Sequence, residues 1–183
     1  MWYMALGSSK KINEEERSLL KDVSVALSDA GWNVRVGGRG DVDDIVFKSA
    51  APDKRLAIIP FNHFRGYKTA SSHVESFESF DLLSRRAARK HAEPHFYGGK
   101  LIGELQKNLL HSGAMVVFGS DLKTPARFGI TALQEGSHGL LGKGMDASVF
   151  SLMNSRGIPV FNLCNPEHKE KIYAFLNKNS AVV

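Results

Sequence analysis

Four glycine-rich turns carry hydroxyl or charged side chains, and each follows a segment predicted as a strand or precedes a predicted helix. They span residues 7–10, 37–40, 119–121 and 142–144. Glycine lets the backbone approach an anion closely, and a helix that starts after such a turn supplies free N–H groups and a positive dipole. The pattern is typical of a site for a phosphate-bearing ligand.

None of these turns matches the Walker A loop or a strict Gly-x-Gly-x-x-Gly motif, so each alone could equally be a tight connection between elements. In an open parallel sheet, however, turns at strand ends share one edge, where ligands bind. Their concurrence favours a nucleotide or nucleotide-derived ligand. The ligand-binding candidates are Gly7, Ser8, Ser9, Lys10, Gly37, Gly38, Arg39, Asp41, Asp43, Gly119, Ser120, Asp121, Gly142, Lys143 and Gly144.

Carboxylates in and near the turns are the acid/base candidates. Asp41, Asp43 and Asp44 follow the second turn, and Glu135 precedes the last one. Asp44 and Glu135 are the catalytic candidates, because paired carboxylates suit cleavage of a base–ribose bond through an oxocarbenium-like state. The alternative for the three aspartates is capping of the following helix and compensation of its dipole.

A local surplus of positive charge suggests a nucleic-acid partner as the alternative function. Residues 85–100 contain five Lys or Arg and one acidic residue. Aromatic residues follow the cations closely and would stack on bases, as in sites for single strands. The competing interpretation is a solvated helix face with a buried Phe96. The four leading cations are Arg85, Arg86, Arg89 and Lys90.

The histidines and the cysteine give no metal-binding pattern. The seven histidines lack a helical His-x-x-x-His pair, since Pro94 interrupts His91 and His95. The lone Cys164 excludes an internal disulfide and a cysteine zinc site, and it suits a reducing compartment. We therefore expect no metal, no cofactor and a cytoplasmic protein.

Composition places the chain among single globular domains, here residues 1–183. Hydrophobic residues make up 43% and charged residues 23%, with a net charge of +5, which excludes disordered, collagenous and coiled-coil classes. No signal peptide or membrane-spanning run is predicted. Phenylalanines at 61, 64, 77 and 80 are predicted to close the core or a subunit contact, and we expect a homo-oligomer with no membrane partner.

Periodicity predicts the elements that position these residues. The first half alternates strands and helices over short connections, which favours an α/β three-layer sandwich with a mostly parallel Rossmann-like sheet. Asn13 and Glu16 form a capping-box pattern before the first helix, and Gly31 ends it. The predicted strands are 2–6, 32–36, 55–60, 114–118, 128–133 and 158–163, and the predicted helices start near 14, 42, 74, 102 and 145, with a C-terminal helix marked by Ile172, Phe175 and Leu176.

The order of these motifs resembles the SLOG superfamily, which includes the LOG-like proteins and the DNA-processing protein DprA. The matching segments are a first strand ending in Gly7-Ser8, a second ending in Gly37-Gly38 with acids beyond, a late turn at residues 142–144, and the closing strand after Gly157. The chain is most similar to the short phage-type and YspA-like members, which are essentially a bare Rossmann-like domain.

The resemblance implies nucleotide binding, with three outcomes left open. Some members hydrolyse nucleoside monophosphates to base and ribose phosphate, some bind single-stranded DNA, and some sense nucleotide signals without turnover. The Pro-Gly-Gly-x-Gly-Thr-x-x-Glu signature of the phosphoribohydrolases is absent, and Ser9, Val42, Lys143 and Met145 depart from the family pattern. Whether the chain is an enzyme, in that case a nucleotide N-glycosidic hydrolase, thus stays open, as does a role as nucleotide sensor or sponge.

Overall fold

The computed structural model describes residues 1–7, 12–96, 103–132 and 145–180. The strands are β1 Trp2–Leu6, β2 Asn33–Val36, β3 Arg55–Ile59, β4 Val74–Ser76, β5 Gly129–Thr131 and β6 Val160–Asn162. The α-helices are α1 Glu14–Asp29, α2 Asp41–Ser49, α3 Leu82–Ala92, α4 Glu104–Phe118, α5 Met145–Ser155 and α6 Pro166–Ser180. Short 3₁₀ turns lie at Pro52–Lys54, Phe64–Gly66, Phe77–Ser79 and Glu93–His95.

The six strands form one parallel sheet in the order β4-β3-β2-β1-β5-β6. Successive side chains of a strand point to opposite faces, so Tyr3 and Ala5 belong to one core while Met4 and Leu6 belong to the other. Helices α1, α2 and α6 pack on the first core, and α3, α4 and α5 pack on the second. The predicted α/β three-layer, Rossmann-like fold is confirmed.

The first strand–turn–helix unit forms as predicted. The Asn13 Oδ1 accepts the Glu16 N–H at 2.8 Å, and the Glu16 carboxylate accepts the Asn13 N–H at 3.1 Å. This capping box satisfies two N–H groups that a helix start otherwise leaves free. Gly31, with φ 81°, follows the last turn of α1 in the left-handed conformation that glycine adopts without strain.

Two predictions for the middle of the chain were wrong. Residues 114–118 are the last turns of α4 and not a strand, and residues 74–76 are β4 and not the start of a helix. The apolar run at 114–118 is buried throughout, because α3, α5 and the sheet surround the C-terminal half of α4, and periodicity does not separate a buried helix from a strand. The helix expected from residue 74 starts at Leu82, where Asp81 caps it.

Because residues 114–118 end a helix and not a strand, the third glycine turn lies at the opposite end of the strands from the one predicted. Residues 119–121 follow the C-terminus of α4, and the chain then enters β5 at its amino end, where the Arg127 N–H donates to the Trp2 carbonyl. The buried Arg35 guanidinium donates to the Val117 and Thr124 carbonyls beside this turn. Gly119, Ser120 and Asp121 are therefore not part of the carboxyl edge of the sheet.

Within α4, a glycine lets two neighbours approach the helix axis. A Cβ added at Gly113 would clash with the Arg39 Nη2 and would lie 2.6 Å from the Val149 Cγ2. Gly113→Ala should therefore destabilise the fold by about 1–3 kcal/mol, although the same change in an open helix interior stabilises by about 0.5–1 kcal/mol. Urea unfolding measures the difference. In the control Gly103→Ala, the added Cβ meets nothing within 4 Å and should change stability by less than about 0.5 kcal/mol. Equal stability of the Gly113 variant and the wild type would contradict this account.

Candidate functional site

The sheet order puts a reversal of connection, the place where open α/β sheets carry a crevice, at the carboxyl ends of β1 and β5. These strands are neighbours in the sheet, but the chain after β1 turns to α1 on one face, whereas the chain after β5 turns to α5 on the other. Such a reversal of connection is where open α/β sheets bind ligands. We call the ends of β1, β2 and β5 with the turn at residues 37–40 the carboxyl edge.

The turn after β2 is fixed by a buried carboxylate. The Asp43 Oδ2 accepts the N–H of Gly37 at 3.1 Å and of Arg39 at 2.8 Å. A Cβ added at Gly7 would lie 2.8 Å from the Gly40 backbone nitrogen. The turns after β1 and β2 are therefore packed backbone to backbone, with no space for a side chain between them.

Arg39 fills the space beneath this turn. Its side chain is 6% exposed, its Nη2 donates to the Leu109 carbonyl, and its Nη1 lies 3.9 Å from an Asp146 oxygen. Among the described residues, the Arg39 Nε and Nη1 and the Asp43 Oδ1 have no hydrogen-bond partner. Arg39, Asp43 and Asp146 thus form a cluster of charged residues, in which the Asp43 residue is 0% exposed, the Arg39 side chain 6% and the Asp146 side chain 21%.

Burial also controls protonation in this cluster. It raises the pKa of Asp43 to about 7, although the Arg39 N–H and guanidinium oppose the rise, and it raises the pKa of Asp146 to about 6. It lowers the pKa of Arg39, which Asp146 and Asp43 partly restore. The cause is the same in each case, because transfer from water disfavours the charged form.

The predicted catalytic residue Asp44 faces away from this cluster. Its Oδ1 accepts the Tyr67 hydroxyl at 2.8 Å, and its Oδ2 accepts the Arg65 Nη2 at 3.1 Å. Both oxygens therefore already accept a hydrogen bond, which holds the Asp44 side chain toward residues 65–67, and each oxygen keeps a second lone pair. Asp41 differs, since its half-buried carboxylate has no bond within the described residues, which makes it the free acid of α2.

Helices that begin at the carboxyl edge begin with acids. The first turn of α1 holds three glutamates, the first turn of α2 holds three aspartates, and α5 has Asp146. Acids at these positions compensate the helix dipoles, as the alternative interpretation of the aspartates required. A phosphate at this edge would therefore need cations from outside the described residues.

The basic stretch lies on a groove between α3 and α4. Arg85, Arg86 and Arg89 line a cavity of about 330 Å³ with Lys107 and His111. We call it the α3–α4 groove. Lys90, the fourth cation of the prediction, is exposed but does not line the groove. Burial lowers the pKa of His111, which Glu93 partly restores.

Several predicted residues lie outside the described part of the chain. They include the catalytic candidate Glu135. The ligand-binding candidates among them are Ser8, Ser9, Lys10, Gly142, Lys143 and Gly144.

The third glycine turn, residues 119–121, has a structural role at the amino end of the strands. The Asp121 carboxylate accepts the N–H groups of Lys123 and Thr124, and these bonds lower its pKa. The Ser120 hydroxyl donates to Glu75. These bonds hold the connection that leads from α4 to β5.

Sequence reasoning missed Asp146, Arg65 and Tyr67. Asp146 is typical of an acid at a helix start, and the other two lie between residues 60 and 74, where no strand or helix was predicted. A signal was present at Arg65, because Gly66 follows a run of aromatic and basic residues, but nothing there indicates a partner on α2. Only the packing of residues 63–71 against α2 brings them to Asp44.

No protein-family model, curated protein or solved structure matches the chain. Across the described residues, no cluster of three or more His, Cys, Asp or Glu has the arrangement of a metal site. In the same residues, no helix is long and apolar enough to cross a membrane. The fold thus places the chain among α/β proteins with a Rossmann-like parallel sheet.

The buried cluster makes stability depend on pH. Between about pH 4 and pH 7, the folded Asp43 keeps a proton that the unfolded chain releases, so the free energy of unfolding falls as pH rises. Asp43→Asn keeps an acceptor for Gly37 and Arg39 but does not ionise. It should make the fall shallower by up to about 1.4 kcal/mol per pH unit.

Urea unfolding at several values from pH 4.5 to pH 7 measures this slope. Asp22→Asn, at an exposed position of α1, is the control and should leave the slope as in the wild type. An unchanged slope in the Asp43 variant would show that Asp43 ionises in the folded protein as it does in the unfolded chain.

Proposed function

We propose that the chain binds a nucleotide or nucleotide-derived ligand at the carboxyl edge, as its resemblance to the SLOG superfamily implies. The observation that carries the proposal is the reversal of connection between β1 and β5, flanked by the glycine turn after β2. In sheets of this kind the crevice at such a reversal is the usual nucleotide site.

The described residues support particular roles within the proposed site. The Asp43 Oδ2 accepts two N–H groups of the turn, and the two Asp44 oxygens accept donors from Tyr67 and Arg65. Asp41 has no such bond within the described residues and is therefore the carboxylate best suited to accept hydrogen bonds from ribose hydroxyls. The glycines at 7 and 40 let the backbones after β1 and β2 pack directly against each other at this edge. These features favour recognition of the sugar by carboxylate and backbone groups.

The phosphate requires cations, because the helices at this edge start with acids. Lys10 and Lys143 follow β1 and β5 in sequence, and both are among the predicted ligand-binding residues. We assign to them the neutralisation of the phosphate. Lys143→Glu should weaken binding of a nucleoside monophosphate by about tenfold or more, since it reverses a charge that the sequence predicts to neutralise the phosphate. Isothermal titration calorimetry measures the affinity, with Lys21→Glu on the exposed face of α1 as the matched control.

Product analysis separates the enzyme from the sensor. Purified protein is incubated with a panel of nucleoside monophosphates, and free base is quantified by chromatography. Release of base that is lost on Asp44→Ala would establish N-glycosidic hydrolysis, and tight binding without product would establish a sensor or sponge. Absence of binding to any nucleotide, with no small molecule carried through native purification, would overturn the proposal.

A second candidate function, binding of single-stranded nucleic acid, is favoured by the α3–α4 groove. Arg85 and Arg86 come from α3 and Lys107 from α4, so two helices contribute cations to one concave surface. The Lys107 ammonium is paired with Glu104 and the Arg89 guanidinium with Glu93, which leaves Arg85 and Arg86 as the cations free for phosphates among the described groove residues. This arrangement supports contacts to a phosphate backbone.

The double variant Arg85→Glu/Arg86→Glu should weaken binding to a labelled oligothymidylate by about tenfold or more at low salt and reduce its salt dependence. Fluorescence anisotropy over a series of salt concentrations measures both. Lys21→Glu/Lys123→Glu applies the same charge change at exposed positions away from the groove. If the two double variants bind alike, the groove is a solvated surface and this candidate fails.

A further inference from the structure

A second cavity, of about 410 Å³, lies between the outer side of α2 and residues 63–71. Four cations line it, Lys48, Arg55, Arg65 and Lys68, together with one acid, Asp44. We call it the α2–loop pocket. Its volume is in the range of small-molecule sites, and neither the glycine turns nor the basic stretch after Leu83 contributes to it.

The pocket is separate from the crevice at the carboxyl edge. Arg55 is the first residue of β3, and Lys48 lies in the last turn of α2. Both positions lie toward the amino ends of the strands, because α2 runs back from the end of β2 to the start of β3. Only the wall made by Asp44 and Tyr67 reaches the turn at Gly38, where a Cβ would lie 3.0 Å from the Tyr67 ring.

Of the four cations that line the pocket, only Arg65 forms an ion pair with a carboxylate among the described residues. Arg65 is paired with Asp44 at 3.1 Å. Arg55 donates to the Phe47 carbonyl at 2.9 Å and lies 4.7 Å from the centre of the Phe47 ring, but its buried Nε has no partner among the described residues. Lys48 and Lys68 form no ion pair within the described part of the chain. Three positive charges thus face one cavity without a carboxylate of their own.

Asp44, which neutralises Arg65, also fixes the segment that forms the rim of the pocket. Arg65 has φ 50° and His63 has φ 63°, a left-handed conformation that side chains other than glycine adopt at a cost. The bonds from Arg65 and Tyr67 to Asp44 anchor this segment to α2. The rings of Tyr67 and Phe47 meet edge to face at 5.3 Å and form an aromatic wall beside the cations.

We propose that the α2–loop pocket binds a small phosphate-bearing molecule, with Arg55, Lys48 and Lys68 neutralising the phosphate and the Asp44–Arg65 pair holding the rim. Like charges gathered in one concave site repel one another, and a multiply charged anion relieves that repulsion while gaining donors from guanidinium and ammonium groups. The inference does not depend on nucleotide binding at the carboxyl edge.

Phosphate of two sources has this chemistry, inorganic pyrophosphate and the phosphate of an organic ester, and the experiment distinguishes them. Calorimetric titrations at constant ionic strength use pyrophosphate and a nucleoside monophosphate as separate probes. We expect pyrophosphate to bind the wild type and to bind Lys48→Glu/Lys68→Glu at least about tenfold more weakly. Both lysines are exposed, so the variant should fold; Lys48→Gln/Lys68→Gln gives a milder second variant.

The control Lys21→Glu/Lys123→Glu, with equal charge change elsewhere, should bind pyrophosphate as the wild type does. Amide chemical shifts should locate the binding, with changes concentrated in residues 44–48 and 65–71. Loss of pyrophosphate binding with nucleotide binding retained would assign the pocket to phosphate alone. Loss of both would place the organic ester in this pocket and remove it from the carboxyl edge. No pyrophosphate binding to the wild type, or equal weakening in both double variants, would overturn the inference.

Discussion

Burial of the Arg39 guanidinium is the constraint to which the surrounding elements are fitted. A buried cation is costly unless opposite charges and acceptors surround it. Here α5 supplies Asp146, and α4 supplies the Leu109 carbonyl and a bare backbone at Gly113. The Asp43 carboxylate of α2 accepts the Arg39 backbone N–H. One residue in the turn after β2 therefore contacts helices from both faces of the sheet.

Charge is divided between regions with different chemistry. Acids occupy the first turns of α1 and α2, where helix dipoles stabilise them. Cations gather in the α3–α4 groove and in the α2–loop pocket, where Asp44 of the first turn of α2 is the one acid in the lining. An edge rich in acids suits hydroxyl groups, whereas the two cationic cavities suit phosphates. The net charge of +5 consequently says little about the carboxyl edge and much about the surfaces on either side of it.

The sequence was most informative where a pattern is local. The capping box at Asn13, the glycine stop at Gly31 and the strand before the first turn depend on neighbours in the chain, and all three were predictable. The end of α4 was not, because a helix buried on all sides has no polar face to show its period. The partners of Arg39 and Asp44 come from segments up to 107 residues distant in sequence, as with Asp146, and single-residue patterns contain no information on such pairs.

Two adjacent aspartates in the first turn of α2 lie in different environments. Successive residues of an α-helix point about 100° apart, so Asp43 is buried against the turn at residues 37–39 while Asp44 bonds to Tyr67 and Arg65. Burial raises the pKa of Asp43 and so disfavours its charged form, whereas the Asp44 carboxylate forms an ion pair with Arg65. Because the Tyr67 ring packs on Gly38, Tyr67 lies between the glycine turn of the carboxyl edge and the α2–loop pocket. A change in the Asp44–Arg65 pair would therefore reach the glycine turn through one aromatic contact.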